Sequence, residues 1–149
     1  MIYKIILASL KEAEKFRYSN GGLVRIKKEG HNEHDVEAVM GLFSGLRRKD
    51  YPTFLEECTN RWGHYVGEMG FEKGPVDEEG VIIKEGEVLI VTYVSEKTIS
   101  VSDFHKLSYE FGNKALEAVE FFNLKEKGLV DDNWISRIQK ALVKIKSEL

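Results

Sequence analysis

The sequence predicts an α+β fold, a single domain in which a mostly antiparallel sheet packs with four to five helices. Three observations carry that expectation. Short runs rich in isoleucine and valine stand near the N-terminus and again after Gly74-Pro75. Stretches with helical spacing of apolar residues lie in two pairs, one before and one after the second group of runs. A chain of 149 residues, 42% of them hydrophobic, can bury about two-thirds of its unfolded surface in one core, and no internal repeat divides it.

The elements follow in order. Ile2 to Ala8 reads as a strand. Ser9 followed by Glu12 has the spacing of a capping box and starts a short helix reaching about Tyr18, which Asn20-Gly21-Gly22 stops. Leu23 to Lys27 alternates loosely and reads as a second strand; the rival reading makes residues 2–28 one long hairpin. Asn32 can cap a helix with Glu33 and Asp35 in its first turn. Val36, Val39, Met40, Phe43 and Leu46 form its apolar stripe, and Arg47, Arg48 and Lys49 lie at its negative end. Asp50 and Pro52 start the next helix, centred near Trp62, with Leu55, Cys58, Trp62, Tyr65 and Met69 as its stripe. A tight connection predicts that these two helices pack as an antiparallel hairpin.

Gly74-Pro75 breaks the helical period. Val81 to Ile83 and Val88 to Val94 flank Glu85-Gly86, which reads as a hairpin turn. The second run is apolar at nearly every position, as expected of a central strand covered on both faces. Thr98 to Val101 reads as a further short strand. Ser102 and Asp103 begin a long helix with Leu107, Phe111, Ala115, Ala118, Val119 and Phe122 inward. Gly128 closes that segment. Asp132 then caps a last helix with Trp134, Ile135, Ile138, Ala141, Leu142 and Ile145 inward and Arg137, Lys140 and Lys144 outward.

A single cysteine, Cys58, cannot form an internal disulfide, so a reducing, cytoplasmic location is expected. The apolar run at the N-terminus ends at Leu10 and is followed at once by charges, unlike a signal peptide. No apolar stretch approaches the roughly 20 residues that span a bilayer, so no membrane contact is expected.

Few residues offer chemistry. His31, Glu33, His34 and Asp35 form a cluster of metal-ligand types, but no second cluster completes a site, and neither a metal nor a cofactor is expected. Cys58 and His64, read on one helix, point about 120° apart and do not make a nucleophile and base. Cys58 reads instead as a buried structural thiol. Arg61, His64 and Glu68 share a helical face, the pattern of a surface charge network or, alternatively, of a tuned acid–base histidine. Gly41 to Gly45 and Gly63 to Gly67 each show G-x-x-x-G, which predicts that the two helices cross where their glycines meet. No phosphate-binding fingerprint occurs, and the basic residues (Arg25, Lys27, Lys28, the Arg47-Arg48-Lys49 run) are dispersed among acids, so no direct nucleic-acid contact is expected.

One feature points to a function. Glu68, Glu72, Asp77, Glu78, Glu79, Glu85 and Glu87 stand against only Lys73 and Lys84, a local net of −5 in a chain of net charge −3. Such a field attracts a cationic partner and repels phosphate. The bland alternative is a solvated acidic loop that protects edge strands. In size, charge and architecture the chain resembles the small immunity proteins of bacterial toxin systems, including those of contact-dependent growth inhibition, with the segment from Glu68 to Glu87 carrying the resemblance. That resemblance implies a non-enzymatic inhibitor; a monomer or small homo-oligomer is expected. Such an inhibitor would block a basic toxin domain, such as a nuclease; the resemblance itself transfers no site residues, and it is the local charge that points to Glu72, Asp77, Glu78, Glu79, Glu85 and Glu87 as the partner-binding residues. The alternatives are a small enzyme with His64 or His105 as acid–base, the latter beside Asp103 at the start of the long helix, and a subunit of an oligomeric assembly.

Overall fold

The computed structural model describes residues 3–30 and 37–149. The chain is α+β; the described residues form five α-helices and eight strands, paired in antiparallel fashion in three small sheets. Strand β1 (Tyr3–Leu7) pairs with β2 (Val24–Lys28), Ile5 opposite Ile26. Between them the short helix α1 (Leu10–Ala13) carries the expected capping box, Ser9 and Glu12 bonding each other's backbone. Helix and hairpin thus coexist, because a pair of strands tolerates a long connection that folds on itself.

Helix α2 (Ala38–Gly45) begins later than the sequence implied. Its cap is Glu37, whose carboxylate accepts from the Met40 N–H at 2.8 Å. The expected cap Asn32 lies outside the described residues. A single 3-10 turn (Arg48–Asp50) leads into α3 (Tyr51–Glu57), with Pro52 in its first turn, where no intrahelical N–H is needed.

The largest correction lies beyond α3. The helix expected through Trp62 to Met69 ends at Cys58, and residues 63–66 and 69–73 are strands β3 (Gly63–Val66) and β4 (Met69–Lys73). Gly67, at φ 63°, supplies the left-handed turn position between them. A helix there would need glycine at three interior positions (Gly63, Gly67, Gly70), each costing about 1 kcal/mol relative to alanine. Consequently α2 and α3 form no glycine-mediated crossing. Gly41 and Gly45 sit against the side chains of Thr92 and Met69, and α3 lies mainly along the last helix.

A second correction concerns pairing. Strand β6 (Val81–Ile83) pairs with β5 (Val76–Glu78), not with β7 (Glu87–Val91). Their turn is Glu79-Gly80, both at positive φ (47° and 83°) as a two-residue hairpin of this type requires. Glu85-Gly86 only returns the chain to β7. The main sheet runs β3-β4-β7-β8, with β8 at Glu96–Ser100. Strand β7 is central, but only one of its faces is covered: Val88 and Ile90 are buried, whereas Glu87, Leu89 and Val91 are half-exposed.

Helices α4 (Val101–Phe121) and α5 (Asp132–Ser147) match expectation, with the caps displaced to Ser100 and Asp131. They approach so closely that a Cβ on Gly112 would lie 2.5 Å from a methyl of Leu142. Core rings from four elements meet here: Phe43, Phe54, Phe71, Phe104 and Phe111, with Phe71 and Phe104 edge-to-face at 4.6 Å between centroids. Tyr51 is buried beside them, and its hydroxyl accepts from the Leu23 N–H at 2.8 Å. The sheet is thereby fixed with its inner face on the helices and its outer face open.

Candidate functional site

Alternation along β4 sorts neighbouring residues to opposite sides of the sheet. Phe71 and Lys73 turn inward and are buried; Gly70 and Glu72 turn outward. Register extends that pattern. Glu72 lies opposite Leu89, Val91 opposite Glu96, and Glu87 opposite Ser100. The outer face therefore presents Glu72, Glu87 and Glu96 around the half-exposed apolar side chains of Leu89 and Val91. Tyr65 of β3 crosses Gly70 on the same face, and burial together with Glu72 and Glu96 nearby raises its pKa above the ordinary tyrosine value.

The remaining expected acids lie on an arm that continues from the same sheet. The chain leaves β4 at Gly74, whose N–H donates to the Glu87 carbonyl at 3.0 Å, makes β5 and β6, and returns to β7. Asp77 and Glu78 are exposed on β5, Glu79 occupies the turn, and Glu85 precedes β7, with Ile83 buried as the anchor of the arm. The six expected residues thus divide between a sheet face (Glu72, Glu87) and a hairpin arm (Asp77, Glu78, Glu79, Glu85). Among the described residues none of these six, nor Glu68 or Glu96, has a cation within salt-bridge distance. Glu96 was missed because it follows the acidic segment in sequence; only the pairing of β7 with β8 brings it to this face.

The other charged cluster is enclosed. Lys73 Nζ donates to the Cys58 carbonyl at 2.6 Å and lies 3.2 Å from His105 Nε2, which is itself 3.2 Å from that carbonyl. Cys58 ends α3, so the ammonium sits at the negative end of the helix and satisfies one of its terminal carbonyls. Desolvation lowers the pKa of Lys73, and desolvation followed by the adjacent Lys73 charge lowers that of His105. The Cys58 thiol donates to Ser108 Oγ at 3.3 Å, is fully buried, and is pushed up to about 12 by desolvation. It is a core residue, and native-state thiol labelling is expected to be slow. This cluster was invisible in sequence, since Cys58 at the end of α3, Lys73 on β4 and His105 on α4 meet only through tertiary packing.

The histidine readings change accordingly. His64 is half-buried on β3, so Arg61, His64 and Glu68 share no helical face, and Arg61 stacks instead on Trp62 at 4.9 Å. His105 is buried against Lys73, whereas Asp103 is exposed at the start of α4. His31, Glu33, His34 and Asp35 lie outside the described residues, and no group of three potential metal ligands occurs among the described ones. Away from these histidines, a groove of about 560 Å³ lies between the β1–β2 pair and α2, with Lys27 and Lys28 among its lining residues. No described helix is long and apolar enough to cross a membrane. No protein-family model matches this chain, nor does any curated protein or solved structure.

Proposed function

We propose that this chain is a non-enzymatic binding protein that blocks a basic protein domain, in the manner of a bacterial immunity protein facing its toxin. The contact surface is the outer sheet face with Glu72 and Glu87, extended by Asp77, Glu78, Glu79 and Glu85 on the β5–β6 arm. One observation supports this reading: Glu72, Glu87 and Glu96 stand around a small apolar centre of Leu89 and Val91, and among the described residues neither they nor the acids of the arm form an ion pair. An apolar centre within a charged rim is the make-up of a protein interface. A negative rim speeds encounter with a positive partner and repels nucleic acid, the expected substrate of a nuclease toxin.

The form of the enzymatic alternative that relies on His105 is the less favoured one. His105 faces the Lys73 ammonium and a backbone carbonyl, not an open cleft, and Cys58 has no solvent access. The reading is tested by expressing the C-terminal domain encoded by the adjacent upstream gene, alone and together with this protein. Growth arrest that this protein relieves, with a complex recovered on purification, is the expected result. Absence of both arrest and complex counts against it.

A further inference from the structure

The two edges of the main sheet differ. On β8, Lys97 reaches across to Tyr3 of β1, donating to its hydroxyl at 3.1 Å. On β3 no described strand follows, so among the described residues that edge is open. The Lys73 N–H donates to the Trp62 carbonyl at 2.8 Å, which fixes the alternation of the β3–β4 ladder. Trp62, His64 and Val66 bond inward to β4, so the N–H and C=O groups of Gly63 and Tyr65 point away from the sheet.

Natural edges of this kind carry a charge, a proline or a bulge that prevents pairing. Gly63-His64-Tyr65-Val66, though short, carries no carboxylate, lysine, arginine or proline. Instead it is flanked by apolar surface, Trp62 being 68% exposed and Tyr65 45%.

We propose that β3 pairs with β3 of a second copy of this chain, antiparallel about a two-fold axis at His64, joining two four-stranded sheets into one. This register sets Gly63 opposite Tyr65 of the second copy, so every outward N–H and C=O of these residues is bonded. On the face toward the helices, Trp62 stands opposite Val66 of the second copy, an aromatic–β-branched pair of the kind that stabilises adjacent strands. On the outer face the glycine leaves room for close approach, since Tyr65 already lies over Gly70 of its own chain. Charge agrees with a second copy as occupant. Antiparallel pairing brings Arg61, at one end of the edge, beside Glu68, at the other end, on both sides of the axis. A basic partner strand would satisfy Glu68 but oppose Arg61. The proposal is independent of the toxin-blocking role, and would place two acidic faces on one sheet.

Sedimentation velocity on the intact protein, from micromolar to near-millimolar concentration, is the test, with hydrogen exchange read at single amides. The mass is expected to rise toward twice that of the monomer, while exchange at Gly63 and Tyr65 slows about ten-fold or more with concentration. Tyr65→Pro removes an outward N–H and a half-exposed ring at the edge and follows an extended residue, so it is expected to leave a folded monomer. His64→Glu places like charges face to face at the axis and is expected to do the same. A native protein that stays monomeric throughout overturns the proposal. So does a dimer in which Gly63 and Tyr65 exchange no more slowly than in dilute solution, or one that persists unweakened in a folded His64→Glu protein.

Discussion

Glu72 and Lys73 are neighbours in sequence on one strand, yet they belong to chemically opposite regions. Lys73 turns inward to a carbonyl at the end of α3 and to His105, so its charge is taken up within the fold. Glu72 turns outward onto a face where the carboxylates find no cation among the described residues. The difference teaches that a count of charges along a sequence does not locate free charge. Lys73 offsets part of the acidic segment on paper, but its ammonium is sealed beneath the sheet, and the outer face is more uniformly negative than the sequence tally implies.

If the inner side carries stability and the outer side carries binding, substitutions on β4 should separate by direction. Phe71→Ala, within the ring cluster, is expected to cost about 3–5 kcal/mol by urea unfolding, whereas Glu72→Ala next to it should change stability by less than about 0.5 kcal/mol. Similar costs at the two positions would break the distinction.

Within the inner cluster, His105→Leu leaves the Lys73 ammonium without its imidazole acceptor and is expected to cost about 2 kcal/mol. Lys73→Met should cost less, about 1 kcal/mol or below, because it removes a buried charge and lets His105 donate to the Cys58 carbonyl in its place. The reverse order in denaturant midpoints would show that the lysine, and not the histidine, organises the cluster.

Acid sharpens the same contrast. The His105 pKa is lowered in the fold, so its neutral form contributes stability fully above the unfolded value near 6.5. That contribution is lost as pH falls through the lower folded value, because the unfolded chain takes up the proton first. Urea midpoints measured downward from pH 7 should therefore decline in the native protein, and more gently in His105→Leu. An identical pH slope in both would remove His105 from the account.

The smallest effect lies on the outer arm. Glu79 holds a positive φ of 47° in the β5–β6 turn. Asparagine or glycine suits that conformation better, and Glu79→Asn is expected to stabilise by about 0.4–1 kcal/mol, read as a raised melting temperature. Destabilisation would indicate that the Glu79 side chain has a partner in the fold.

Legibility in the sequence followed how local the signal was. Helices α4 and α5 carry long apolar periods with Ser and Asp caps, so their inward residues, from Leu107 to Ile145, are buried or half-buried as read. The segment after Cys58 misled because Trp62, Tyr65 and Met69 continue the spacing of Leu55 and Cys58 by coincidence. The glycines at 63, 67 and 70 were the countersignal, and they fit a twisted hairpin better than a helix. Val81 to Ile83 was recognised as a strand but given the wrong partner, since Glu79-Gly80 lacks the asparagine or aspartate that usually marks such a turn. The acidic residues were visible as a cluster. Their division between a sheet face and an arm, and the addition of Glu96, depended on register, which no local pattern encodes.

The most direct test of the central claim is titration calorimetry between this protein and the C-terminal domain of the adjacent upstream gene product, at low and at high salt. It would compare the native chain with the Asp77→Lys, Glu78→Lys, Glu79→Lys triple variant. The variant is expected to stay folded, to bind at least about ten-fold more weakly at low salt, equivalent to about 1.4 kcal/mol, and to lose much of its salt dependence. Equal affinity and equal salt dependence in the two proteins would contradict it, leaving the acidic arm a solvated hairpin and nothing more.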